Sequence, residues 1–188
     1  MTYFKKISIP NFDRIQQELT KLVVGKFPNQ LEWSVYDPSF EEMARHCPTL
    51  HYWLLAHNKF FLRFYRIYST PAMGNLAPHI DGGSYHRSPI GLNIPIQGCE
   101  NSKMKWWDES TANIVDGNFG YGNIPACKIL NPTELTCLAE TEINQPTFVR
   151  TDVIHSVENY NSIPRLLLSV RWKYDKVKGQ QFEDVLQF

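Results

Sequence analysis

A chain of 188 residues, 43% hydrophobic and 13% aromatic, can bury one substantial core, which excludes wholesale disorder. Nineteen Lys and Arg balance nineteen Asp and Glu, so no net field draws nucleic acid or an anionic membrane, and neither partner is expected. Cys47, Cys99, Cys127 and Cys137 form no CxxC, which excludes a zinc ribbon or redox dithiol and suits a reducing compartment. With no apolar leader in MTYFKKISIPNFDR and no membrane-length apolar run, the expected location is the cytoplasm.

The first third reads as helical. In NFDRIQQELTKLVVGKF, Ile15, Leu19, Leu22 and Val23 recur at helical spacing, with Asn11 or Asp13 to cap the start and Gly25 near the stop. In DPSFEEMARHCPTLHYWLLAHN, Ser39 and Glu42 have the spacing of a capping box, and Pro48 predicts a break into two helices. From residue 59 the period becomes two: KFFLRFYRIYS, then GLNIPIQ, KMKWW, ELTCLA, PTFVR, VIHSVEN and RLLLSVRWKY all read as strands. Gly, Pro, Asn and Asp clusters separate them, as in a jelly roll rather than in βαβ units. The stretch from Asp108 to Pro132, with Gly117, Gly120 and Gly122, reads as a long loop and a candidate cover over a site. The expectation is one domain, mainly β with N-terminal helices: a helical region over 1–58, a double-stranded β-helix (cupin-like jelly roll) over 59–175, and a tail over 176–188.

LAPHIDGGSYHRSPIGLNIPI places His79 and Asp81 two apart, so on a strand both side chains project from one face and can reach one ion. His155, on the strand-like TDVIHSVENYN, is the candidate third ligand. Two histidines and a carboxylate on one side of an ion leave open positions, as in non-haem Fe(II) oxygenases. Taken alone, HxD fits a turn hydrogen bond equally well. Arg165 follows His155 by ten residues at the start of an apolar strand. Its planar fork suits a carboxylate, while a surface salt bridge is its commonplace use. Arg171 shares that face, but six extended residues span roughly 20 Å, too far for both arginines to hold one small acid.

HxD, a distal histidine and an arginine ten residues on are similar to the Fe(II)/2-oxoglutarate-dependent dioxygenases. PTFVRTDVIHSVENYNSIPRLLLSVRW and RSPIGLNIPIQGC resemble the aspartyl/asparaginyl β-hydroxylase-like branch, including phage-encoded relatives, over residues 60 to 175. The β-hydroxylase itself lacks the aspartate ligand, so Asp81 brings this chain nearer the standard triad, and a substrate is not carried over. The resemblance implies that His79, Asp81 and His155 bind Fe(II) and that Arg165 pairs with the distal carboxylate of the co-substrate 2-oxoglutarate. It implies further that Arg87 holds the co-substrate or a substrate carboxylate, and that O₂ is consumed in hydroxylating a C–H group. Ser169 and Asn159 are expected to support ligands by hydrogen bonds, and Tyr85, Asn93, Trp106 and Trp107 to line a substrate pocket. For the two tryptophans, alternation between core and surface is an equal alternative. The substrate class is amino-acid-like, a peptidyl Asp, Asn or Pro or a small molecule. The competing readings are a non-catalytic or other-metal cupin-like barrel and a nucleic-acid demethylase, the last disfavoured by the neutral charge.

Overall fold

The computed structural model describes residues 2–29, 31–57, 62–82, 90–119 and 124–172. Ile15, Leu19, Leu22 and Val23 lie buried along one face of helix α1 (Phe12–Val23). Asn11 starts that helix in a left-handed conformation, which asparagine tolerates, and makes no side-chain cap. The Ser39–Glu42 capping box opens α2 (Phe40–His46): Glu42 N donates to Ser39 Oγ at 3.1 Å, and Ser39 N donates to Glu42 Oε2 at 2.9 Å. Pro48, lacking an N–H, stands at the first turn of α3 (Pro48–Ala56) and separates it from α2.

The strands are β1 (Phe4–Lys6), β2 (Ser34–Tyr36), β3 (Leu62–Thr70), β4 (Asn75–Asp81), β5 (Ile90–Gln97), β6 (Ser102–Trp107), β7 (Ile114–Phe119), β8 (Ile124–Ile129), β9 (Cys137–Glu142), β10 (Thr147–Arg150), β11 (His155–Asn159) and β12 (Arg165–Trp172). They form two antiparallel six-stranded sheets, a major one in the order β1-β10-β5-β12-β3-β2 and a minor one in the order β7-β8-β4-β11-β6-β9. This is a jelly roll. The N-terminal region is therefore not purely helical: β1 and β2 are the two edges of the major sheet.

Three apolar clusters hold the layers. The largest packs α1, α2 and α3 on the outer face of the major sheet, through Tyr65 and Ile67 of β3, Leu92 and Ile94 of β5, and Leu166, Leu168 and Val170 of β12. Each such side chain contributes roughly 2 kcal/mol by leaving water. A second cluster, around Met104, Trp106, Val149 and Leu167, fills the space between the sheets where Tyr3 and Phe4 close it. The third lies behind the minor sheet and joins Ile80, Cys127, Ile129 and Ile154.

The expectation of a long covering loop over Asp108–Pro132 is corrected. Most of it is the β7–β8 hairpin, which extends the minor sheet as β8 pairs with β4 at His79↔Lys128 and Asp81↔Ala126. Gly120 and Gly122 of that stretch lie outside the described residues, as do Tyr85, Arg87 and the tail over 176–188. No helix among the described residues is long and apolar enough to cross a membrane.

Candidate active site

His79 and Asp81 end β4, and His155 begins β11. The two strands are antiparallel neighbours with His79 directly opposite His155, so both imidazoles project from the inner face of the minor sheet. Their ring centroids stand 4.2 Å apart. Asp81, two residues along β4, points to the same side: its Oδ1 is 3.5 Å from His79 Nε2 and 3.8 Å from His155 Nε2. One donor atom from each of the three lies within 4.8 Å of the other two, the convergence that a single ion requires.

The rings are fixed by backbone. His79 Nδ1 hydrogen-bonds the Ala77 carbonyl at 2.8 Å, and His155 Nδ1 the Val153 carbonyl at 3.0 Å. A carbonyl can only accept, so Nδ1 carries the proton and Nε2 presents its lone pair to the shared point. Burial, with His79 beside it, pushes His155 down to about 3, so its ring stays neutral and able to ligate at physiological pH. For Asp81 burial alone would favour the neutral acid. The Arg171 guanidinium outweighs it and holds the carboxyl well below its ordinary range.

Arg171 is the functional residue that sequence spacing did not single out. Its Nη2 donates to Asp81 Oδ2 at 2.7 Å, its Nη1 to Thr151 Oγ1 at 2.7 Å, and its Nε to Ser169 Oγ at 3.0 Å. Asp81 therefore turns one oxygen to arginine and the other to the histidines. Gly91 makes room for this bracket: a Cβ there would lie 3.1 Å from Arg171 Cζ and 3.2 Å from Ser169 Oγ. Ser169 accepts from Arg171, one step behind the Asp81 carboxylate. Its position with Arg171 on the inner face of β12 was the available signal.

The ligands open onto a cavity of about 540 Å³ with its open mouth included. Arg165 lies on its wall 3% exposed, directly opposite Thr70 of β3. Burial pulls its pKa down from the usual value, and the neighbouring Cys99 thiol opposes that. Three buried polar atoms without a hydrogen-bond partner lie on this wall: Arg165 Nε, Thr70 Oγ1 and Asn93 Oδ1. Leaving each unpaired costs about 1–3 kcal/mol, so the wall is suited to a polar occupant. Turning the Asn93 amide over would present its NH₂ there instead.

Asn93 thus lines the cavity, whereas Trp106 and Trp107 do not. Trp106 is stacked on Phe4 at 5.4 Å in the second cluster and donates to the Arg150 carbonyl. Trp107 points out of the back of the sheet, because alternation puts adjacent strand residues on opposite faces. Asn159 supports no ligand directly. Its amide donates to the Pro71 and Ile163 carbonyls at 2.9 and 3.1 Å, tying the turn that leads into Arg165. Trp33, Tyr68 and Leu76 also line the cavity; Trp33 precedes β2, where the sequence offered no pattern to mark it.

No protein-family model and no curated protein matches the chain. Solved structures do. HygX from Streptomyces hygroscopicus, with nickel and 2-oxoglutarate bound, superposes with a TM-score of 0.54 at 13% identity, covering 90% of this chain and 81% of its own. The viral collagen prolyl hydroxylase from Paramecium bursaria Chlorella virus-1, in its 2-oxoglutarate complex, gives 0.53 at 10% identity, covering 90% and 95%. The chain shares its jelly-roll fold with these structures. The His79–Asp81–His155 donor set is compatible with Fe(II).

Proposed function

We propose that the protein is an Fe(II)- and 2-oxoglutarate-dependent dioxygenase that hydroxylates an amino-acid-type substrate, a peptidyl Asp, Asn or Pro or a small molecule. The observation that carries this reading is the pairing, on one cavity, of a convergent His–Asp–His set with a buried arginine whose Nε has no partner. A metal-binding barrel of another kind would have use for the first but not the second. The wording around His155 and Arg165 supports placement in the β-hydroxylase-like branch.

His79, Asp81 and His155 would hold the metal through Nε2, Oδ1 and Nε2. Arg165, with the Thr70 hydroxyl beside it, would take the distal carboxylate of 2-oxoglutarate by charge-assisted hydrogen bonds. When bound, metal and co-substrate supply with O₂ an oxidant able to attack an unactivated C–H bond. The chain's own part is to present three donors in fixed orientation, to keep Asp81 ionised through Arg171, and to exclude water with Leu76, Met104, Val157 and Leu167. No side chain of the site need act as nucleophile or general base.

The test is anaerobic titration of the apo-protein with Fe(II) and 2-oxoglutarate, following the weak visible charge-transfer band. A band that needs both components and is lost in His79→Ala is the expected result. Iron binding with no band would reject the co-substrate, and no iron binding would leave a barrel without this chemistry.

A further inference from the structure

The ligands sit where strands stop. Asp81 is the last residue of β4 and His155 the first of β11, so although each is paired to neighbours on both sides, the strand continues from each in one chain direction only. What lies behind them supplies the rest. Ile80, between the two β4 ligands, and Ile154, just before His155, are both fully buried on the back of the sheet. There they pack with Cys127 and Ile129 of β8, Trp107, and Ile114 of β7. Cys127 stands directly opposite Ile80.

Polar contacts grip the same points. Glu109 Oε1 accepts from Ile154 N at 3.2 Å, and Trp107 N donates to the Ile154 carbonyl at 3.0 Å. Trp107 Nε1 donates to Ser156 Oγ at 2.9 Å, so both residues flanking His155 are held from outside. The segment is braced within itself: Leu130 N donates to the Asn113 carbonyl at 2.9 Å, and Asn113 N to Asn131 Oδ1 at 2.7 Å.

We propose that residues 107–119 and 124–135 form a positioning clamp for the metal centre, with Trp107 and Glu109 as its positioning residues, holding His155 in register with His79 and Asp81 from the opposite face of the sheet. The inference rests on the metal-site reading. Neither residue touches the metal or any substrate. They act through Ile154 and Ser156, and the apolar cluster transmits the constraint to Ile80. A metal that binds the aligned triad must in turn stabilise the clamp, because ligand binding favours the conformation that binds it.

The test uses the full apo chain titrated with Co(II), whose visible ligand-field bands report donor geometry. Trp107→Phe keeps the ring and removes the N–H; Glu109→Ala removes the acceptor, and Glu109→Gln restores one. Trp107→Phe and Glu109→Ala are each expected to weaken Co(II) binding about tenfold and to shift its bands, with Glu109→Gln close to wild type. Ile15→Val, in the helical core, is the control: it should lower Tm and leave Co(II) affinity and spectrum unchanged. Wild-type affinity and bands in the Trp107 and Glu109 variants, or equal weakening by Ile15→Val, would overturn the clamp. If the variants do not fold, hydrogen exchange on the wild-type chain decides. Co(II) should slow exchange at the Ile154 and Leu130 amides more than at α1 amides, and uniform or absent protection rejects the proposal. A wild-type chain that does not bind Co(II) overturns the metal site itself, and the clamp with it.

Discussion

The two ends of β12 carry the same side chain and treat it oppositely. Arg165 and Arg171 are both buried, at 3% and 6% exposure, on one face of one strand. Arg171 has an acceptor for each of its three nitrogens and a carboxylate among them. Arg165 keeps an Nε with no partner beside a cavity. A buried guanidinium that is fully paired belongs to the frame, whereas one left unsatisfied stores a cost that a ligand can relieve. The contrast separates support from recognition more sharply than burial or sequence position does.

Arg171→Met should break the comparison most forcefully. It leaves Asp81 ionised without its cation and is expected to cost about 3 kcal/mol in chemical denaturation of the apo-protein, with weakened metal binding alongside. Arg165→Met should do the reverse: apo stability unchanged or raised, and 2-oxoglutarate affinity lowered about 100-fold with Co(II) binding intact, measurable by calorimetry. A loss of stability at Arg165 like that at Arg171 would erase the distinction. Gly91→Ala intrudes on Arg171 and Ser169 without altering any charge and should cost about 1–2 kcal/mol by thermal melting. Thr151→Val, which removes one acceptor from Arg171, should cost about 1 kcal/mol in the same assay.

Much of this arrangement was legible in the sequence. The apolar spacing from Ile15 to Val23, the Ser39–Glu42 box and the break at Pro48 gave the helices because each is a local signal, read within one turn. His79, Asp81 and His155 were legible by residue type and parity. The strands that escaped were those whose composition argues against them. IVDGNF and IPACKI carry Gly, Asn and Pro and read as loop, yet they pair because β4 offers them an edge and their apolar side chains cover Ile80 and Ile154. The three-residue β1 and β2 are too short to show a period. Arg171 could be placed on the right face but not matched to Asp81, since that contact joins residues ninety apart across two sheets. Which of Trp106 and Trp107 faces inward is likewise decided by the fold, because alternation alone separates the pair without saying which is which.

One irregularity in β4 decides which way His79 and Asp81 face. Leu76 lies opposite Val157 and His79 opposite His155, so three steps on β4 match two on β11, with Ala77 and Pro78 taking up the extra residue. That offset is what lets Leu76 and His79 face the same cavity although they are an odd number apart. Strict alternation from Leu76 over these same residues would send His79 and Asp81 outward and Ile80 in, so the bulge is what turns the two side chains toward the cavity; deleting Ala77 or Pro78 would leave His79 two residues from Leu76, where plain pairing gives the same facing without it.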